Sequence, residues 1–241
     1  MSEPSQGSTE HFVTKVLPLY QGPSVKICLQ PSNKEYVISK SLLCAESPVF
    51  SKMFNGEFLE SQEQTVTLEE TDDDVSVHSL EALIQWLYRR TFDLDIGGPE
   101  EHISALLRLA RFADKYSITG IEEKIVPFIK DTIVSNPHPN SNRHGRDIDH
   151  NTYCLTRDHL VSASFLPSRH PVRRALASAC VEGFLRSRDH KFNGEILACP
   201  SFGADLLKEI QSALYTLTPT NEVTVEDPIS GKRFRFDLNK V

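Results

Sequence analysis

Residues Ser39 to Ser61, SKSLLCAESPVFSKMFNGEFLES, decide how the rest of the chain is read. Ser39 is placed to cap a brief helix carrying Leu42, Leu43 and Ala45. Ser47 followed by Pro48 restarts the helix, because a serine oxygen accepts from orphan first-turn amides and proline's missing N–H is no loss at the first helical position. Val49, Phe50, Met53 and Phe54 then line one apolar face. Gly56 stops this helix. Beyond it stand Phe58, Leu59, Glu60 and Ser61, an apolar pair tied to a carboxylate.

Upstream, Val25 to Leu29 alternates as a strand does, and a turn at Pro31, Ser32 and Asn33 returns the chain into a second strand at Tyr36, Val37 and Ile38. Before that hairpin, Phe12, Val13, Val16, Leu17 and Tyr20 form a short apolar segment, helix or extended arm, closed by Gly22 and Pro23. Downstream, Gln64 to Leu68 is rich in β-branched residues and predicts a third strand. Asp72, Asp73 and Asp74 precede a helix patterned by Val77, Leu80, Leu83, Ile84 and Leu87, where negative charge complements the helix dipole. Gly97, Gly98 and Pro99 open a helix with Ile103, Leu106, Leu107, Ala110 and Ala113 on one face. A further helix carries Ile121, Ile125, Phe128, Ile129 and Ile133, and Pro127 within it should kink or split it.

The stretch from Ser135 to Asn151 is poor in apolar residues and heavy in Asn, Pro, Ser and His, which predicts a linker or long loop. Helical patterning resumes after Thr156, Pro171 and Pro200. The tail alternates on both sides of a Pro/Gly turn, Glu222 to Glu226 and Arg233 to Leu238, as a hairpin does.

Composition narrows the function. At 241 residues the chain can bury a substantial core. A net charge of -7 disfavours phosphate-backbone binding as the main activity, so no nucleic-acid partner is expected. No apolar run approaches membrane-spanning length, and the polar N-terminus lacks the marks of a secretory leader. Five scattered cysteines without a C-x-x-C pair fit a reducing compartment, cytoplasm or nucleus. His138, His144 and His150 lie six residues apart in the linker without ligand spacing, so they are expected to be solvated, and no metal or cofactor is expected. No nucleophile elbow, phosphate-binding loop or dinucleotide fingerprint occurs, so no catalytic residues are assigned. Arg143, Arg146, Arg173, Arg174, Arg186 and Arg188 make the second half more basic, interspersed with acids as on ordinary helix faces. Between Lys52 and Arg89, by contrast, no Lys or Arg occurs, while Glu57, Glu60, Glu63, Glu69, Glu70, Asp72, Asp73, Asp74 and Glu81 do. An acidic window beside Phe58 and Leu59 offers an apolar anchor with a charged rim for a basic partner.

Four segments resemble the BTB/POZ domain, in the divergent version common in fungal proteins: Val37 to Phe50, Phe54 to Ser61, Leu83 to Tyr88, and Leu107 to Tyr116. The resemblance implies an α+β fold, a small sheet flanked by helices, serving as a non-enzymatic protein-interaction module. It divides the chain into a disordered lead with an N-terminal arm (1–22), a BTB/POZ domain (23–134), a linker (135–152), a helical extension (153–217) and a hairpin tail (218–241). It implies two kinds of partner. One is a cullin scaffold of a ubiquitin ligase, for which Phe58, Leu59 and Glu60 match the family's apolar-x-Glu motif. The other is a second copy of the chain, gripped by an arm carrying Phe12, Val16 and Tyr20. Ser24, Ser39 and Lys40 fall at the positions of a charged pocket that some repressor members use for corepressors. Here Ser24 stands for the usual Asp and Ser39 for the usual His, so Lys40 lacks its acidic partner.

Overall fold

The computed structural model describes residues 17–71, 73–139, 149–187, 189–219 and 223–235. Phe12 and Val16 of the expected arm lie outside these, as do Asp72, Arg143, His144, Arg146, Arg188, Glu222 and the hairpin positions 236–238. The chain forms two compact units, the first of residues 1–93 and 112–119, the second of residues 94–111 and 120–241.

The first unit is built on β1 (Ser24–Gln30), which pairs antiparallel with β2 (Lys34–Ser39) on one side and parallel with β3 (Thr65–Glu69) on the other. Its alternation is the reason: Val25, Ile27 and Leu29 are buried on one face, while Lys26 and Cys28 are half-exposed on the other. Burial of each such aliphatic side chain contributes about 1.5–3 kcal/mol. Among the described residues, four helices complete the unit before residue 93: α1 (Lys40–Glu46), α2 (Pro48–Asn55), α3 (Leu59–Glu63) and α4 (Val77–Arg89).

Both expected caps form. Ser39 Oγ accepts from Leu42 N at 3.3 Å, and Ser47 Oγ accepts from Phe50 N at 3.0 Å. Ser47 is fully buried and its hydroxyl also donates to the Tyr116 carbonyl at 2.6 Å. That bond ties the junction of α1 and α2 to a residue far along the chain. Next to it, the Phe50 ring lies flat on Tyr116 at 4.6 Å and stacks more loosely on Phe54 at 6.2 Å. Ser47→Ala should therefore destabilise this unit by about 1–3 kcal/mol, since it removes a cap and orphans a buried carbonyl. Urea unfolding followed by fluorescence of Trp86 measures it, because that residue is the chain's single tryptophan and is buried in α4. A midpoint equal to wild type would refute the bridging role.

A long helix, α5 (Pro99–Lys115), contributes residues to both units. In the second unit follow α6 (Glu122–Ser135), α7 (Arg157–Ser164), α8 (Pro171–Arg186), α9 (Asn193–Ala198) and α10 (Pro200–Leu214). A second, antiparallel sheet runs β4 (Thr218–Pro219), β5 (Val223–Glu226) and β6 (Arg233–Arg235), in that order. The hairpin β5–β6 appears where its alternation places it, with β4 added at its edge.

Helix α6 passes through Pro127 without splitting. Proline deletes one ladder bond, and both Pro127 and Glu123, whose carbonyl loses its donor, are exposed, so water can serve that oxygen. Helix α8 is buried almost all round from Val172 to Gly183, which its run of Ala, Ser, Cys and Gly allows. Residues 149–152 pack rather than loop freely. Asp149 pairs with His190 at 3.1 Å, buried Asn151 donates to Asp227 at 3.0 Å, and His150 pairs with Glu182 at 2.8 Å. His150 is thus no solvated linker histidine. Gly183 makes room for this approach, since a Cβ there would sit 2.2 Å from an Asp149 oxygen.

Candidate functional site

The turn that carries Phe58, Leu59 and Glu60 is made by Gly56. A Cβ on that glycine would lie 2.4 Å from the Lys52 carbonyl, so only glycine lets the chain leave α2 this sharply. Phe58 then takes the N-cap position of α3 in an extended conformation, and Leu59 is its first residue. Both side chains face solvent, 60% and 63% exposed, while Glu60 is half-buried. Phe58 is thus not part of the core.

The far end of α3 is fixed as well. Gln64 adopts the left-handed conformation, φ 51°, and its amide donates to the carbonyls of Ser61 at 2.5 Å and Phe54 at 3.2 Å. The Phe54 carbonyl, at the C-terminus of α2, also accepts from Lys40 Nζ at 2.9 Å. A cation at a helix C-terminus is favourably placed, so Lys40 finds a carbonyl where the family's pattern would offer a carboxylate. Lys40 therefore supports the turn that presents Phe58 and Leu59. Gln64 in that role was missed by sequence reasoning, and no motif marks it.

The acidic window divides in two. Asp74 pairs with Lys115 at 3.0 Å, and Glu81 accepts from the Tyr36 hydroxyl at 2.7 Å and pairs with Lys34 at 3.3 Å. The Tyr36 hydrogen bond leads in holding the Glu81 carboxyl below its usual range, and burial pushes the Tyr36 phenol up. Burial would raise Asp74, yet bonds from Thr71, Lys115 and the Val75 amide outweigh it and hold the carboxyl low. Glu70 accepts from the Ser32 amide at 2.9 Å. Glu57, Glu60, Glu63 and Glu69 form no ion pair among the described residues. These four flank Phe58 and Leu59 in sequence, and they keep their charge for solvent or a partner.

The remaining positions gather elsewhere in the unit. Ser24 is exposed at the start of β1, opposite Ser39 in register. Ser39 is buried: its hydroxyl donates to the Leu19 carbonyl, and its amide donates to the Tyr88 hydroxyl at 2.9 Å. Tyr20, in a short 3-10 turn over Leu17–Tyr20, donates its hydroxyl to the Tyr88 carbonyl at 2.9 Å and sets its ring edge-on to Tyr88 at 5.6 Å. The structure thus brings Tyr20 and Ser39 together around Tyr88 and turns Lys40 away toward Phe54.

Of the arginines singled out in the second half, the three among the described residues are held by acids. Arg173 pairs with Asp205, Arg174 with Glu209 and Arg186 with Glu182. All five cysteines are free thiols, and burial pushes the Cys180 thiol up, which makes it a poor nucleophile. Among the described residues no group of three His, Cys, Asp or Glu side chains could hold a metal ion, and no helix is long and apolar enough to cross a membrane.

A search of curated proteins returns no match to the chain. The family model for the BTB/POZ domain matches residues 21–133, which takes in the three-stranded sheet, α1 to α5 and most of α6. Helices on a small sheet and that match converge: residues 21–133 form a BTB/POZ domain, which makes this a BTB/POZ-domain-containing protein, and the domain is a protein–protein interaction module.

Proposed function

We propose that this protein is a non-enzymatic adaptor whose BTB/POZ domain docks a cullin scaffold of a ubiquitin ligase through Phe58, Leu59 and Glu60. The observation that carries the reading is the exposure of Phe58 and Leu59, adjacent and more than half accessible, on a turn fixed at both ends. Two adjacent apolar side chains left in water are unfavourable unless a partner covers them, and the carboxylates beside them supply a polar rim. Their charge favours a basic counterpart and a fast, salt-sensitive encounter.

The test is titration of purified cullin N-terminal regions against the whole chain and its Phe58→Ala, Glu60→Ala double variant. Loss of a central anchor costs about 2 kcal/mol or more, a weakening of roughly thirtyfold. Equal binding of the double variant would rule out this edge.

A second reading, a homodimerising scaffold of a regulatory complex without cullin binding, rests on Leu17 and Tyr20, each more than a third exposed on a turn locked to Ser39 and Tyr88. Light scattering at high protein concentration separates the two. A monomer that binds cullin excludes the dimer reading, and a dimer that ignores cullin excludes the first.

A further inference from the structure

Helix α10 packs one face on α8 and leaves the other bare. Phe202, Leu206, Glu209 and Ala213 recur every three or four residues and are buried. On the opposite face Ala204, Leu207, Gln211 and Leu214 follow at i, i+3, i+7 and i+10, and all four are exposed, Leu207 to 67%. That is the spacing of a seam between two paired helices. Tyr215 ends the helix with helical backbone, one turn beyond Gln211 on the same side, and is 83% exposed.

This face carries no acid, in a chain of net charge -7. The two acids of α10, Asp205 and Glu209, are buried on the packed side, where Arg173 and Arg174 hold them. Lys208, the one cation of the helix, turns to Asp205 at 3.3 Å. Gln211, in the middle of the stripe, makes no side-chain hydrogen bond among the described residues. Leu207, Leu214 and Tyr215 thus stand in water around an amide with no partner, which is the composition of a surface that something covers.

The order of residues selects the occupant. Leu207 lies four positions before Gln211, while Leu214 and Tyr215 lie three and four positions after it. In an antiparallel pair related by a two-fold axis at Gln211, each Leu207 meets Leu214 and Tyr215 of the other copy, and Gln211 meets Gln211. An amide carries both donors and an acceptor, so the one polar residue of the stripe is its own complement. A two-fold interface requires that self-complementarity. Charge agrees. Two copies of like net charge repel, and they approach best where neither presents an acid. A basic partner would find no carboxylate on this face, and an acidic one only Lys208, which Asp205 already holds. The stripe runs the length of α10, roughly 22 Å for its 15 residues. Two such stripes bury on the order of 1,000 Å², near the low end of specific interfaces. The pairing is therefore reversible and concentration-dependent.

We propose that the exposed face of α10 pairs with the same face of a second copy of this chain, antiparallel about Gln211. The seam lies beyond residues 21–133 and uses neither Phe58 nor the Leu17–Tyr20 turn.

Sedimentation of the whole chain over a wide range of concentration tests this, with charges placed on the axis. Gln211 is exposed, so Gln211→Glu and Gln211→Lys keep the fold, which circular dichroism checks. At high concentration wild type should reach twice the mass that either variant reaches, and each variant should need at least a tenfold higher concentration to assemble. Mixing the two variants in equal amounts should restore the wild-type mass, since a carboxylate then meets an ammonium across the axis. Only a residue that faces its own copy gives that rescue. Three results would overturn the proposal: a wild-type mass that does not rise with concentration, variants that assemble as wild type does, or a mixture that behaves like its components. The second is what assembly through Leu17 and Tyr20 alone produces, so failure of the seam is distinguishable from failure of that reading.

Discussion

Asp205→Ala should loosen the second unit by about 3–5 kcal/mol, the loss expected when one partner of a buried ion pair is removed and the other is left charged. Asp205 and Arg173 are 3% and 2% exposed, and they join α10 to α8 with Oδ2 and Nε 2.7 Å apart. The contact is an ion pair without an aligned hydrogen bond, and Arg173 Nη2 has no acceptor. Arg173 Nη1 donates to the Leu166 carbonyl at 3.0 Å, so the guanidinium also anchors the turn that follows α7. With Asp205 gone, a buried cation retains only that carbonyl and a weaker bond to Ser164 at 3.5 Å. Amide hydrogen exchange in α8 and α10 is the direct measurement, since it reports local opening. Replacing both partners by apolar residues of similar volume, Arg173→Met with Asp205→Leu, should recover most of the loss. If the single variant exchanged within about 1 kcal/mol of wild type, the pair would not hold the helices together.

The second large effect is a response to acid. His159 is 3% exposed and closes the capping box of α7, where its Nδ1 accepts from the Thr156 amide at 3.1 Å. That bond leaves Nε2 as the protonated nitrogen, donating to Ser104 Oγ at 2.8 Å. A second proton has no place at Nδ1 without facing another N–H. Burial, the leading cause, pushes the imidazole down to about 4 from its ordinary 6.5. Between those values the unfolded chain binds a proton at this position and the folded chain does not. Stability therefore falls as pH falls from 6.5 toward 4 and stops falling on this account below 4. The full drop is about 3 kcal/mol at most. Unfolding measured at steps across that window, in wild type and in His159→Gln, isolates the contribution. The variant should lose the extra slope although it starts less stable, and an unchanged slope would show that His159 is not the titrating group.

The first unit was largely legible because its determinants are local. The caps made by Ser39 and Ser47 and the turn at Gly56 involve residues within four positions, and the alternation in β1 is written in consecutive letters. Phe58 and Leu59 were legible as an apolar pair, but their exposure was not. Sequence alone does not say whether an apolar side chain after a helix stop turns inward. The second unit was harder for a related reason. Asp149, His150 and Asn151 sit in a composition that ordinarily marks loops, and their partners His190, Glu182 and Asp227 lie 41, 32 and 76 residues away. Nothing local distinguishes a buried polar anchor from a solvated one. Helix α9 is only six residues long and buries a single residue, Ile196, so it leaves almost no periodicity to find. Arg173 counted as one cation among several until its neighbours were known.

The shared acceptor at Phe54 bears on how this protein can vary. Lys40 and Gln64 stand on opposite sides of the Phe58–Leu59 turn in sequence, and both donate to that one carbonyl. Either donor alone satisfies the oxygen, so each masks the loss of the other. A screen of single substitutions would understate what the two positions do for this carbonyl, and the pair would emerge in combination, as a penalty larger than the sum of its parts. The turn that presents Phe58 and Leu59 can thus drift through changes at one donor while the other holds its shape, which makes the exposed pair tolerant of mutation without making it loose.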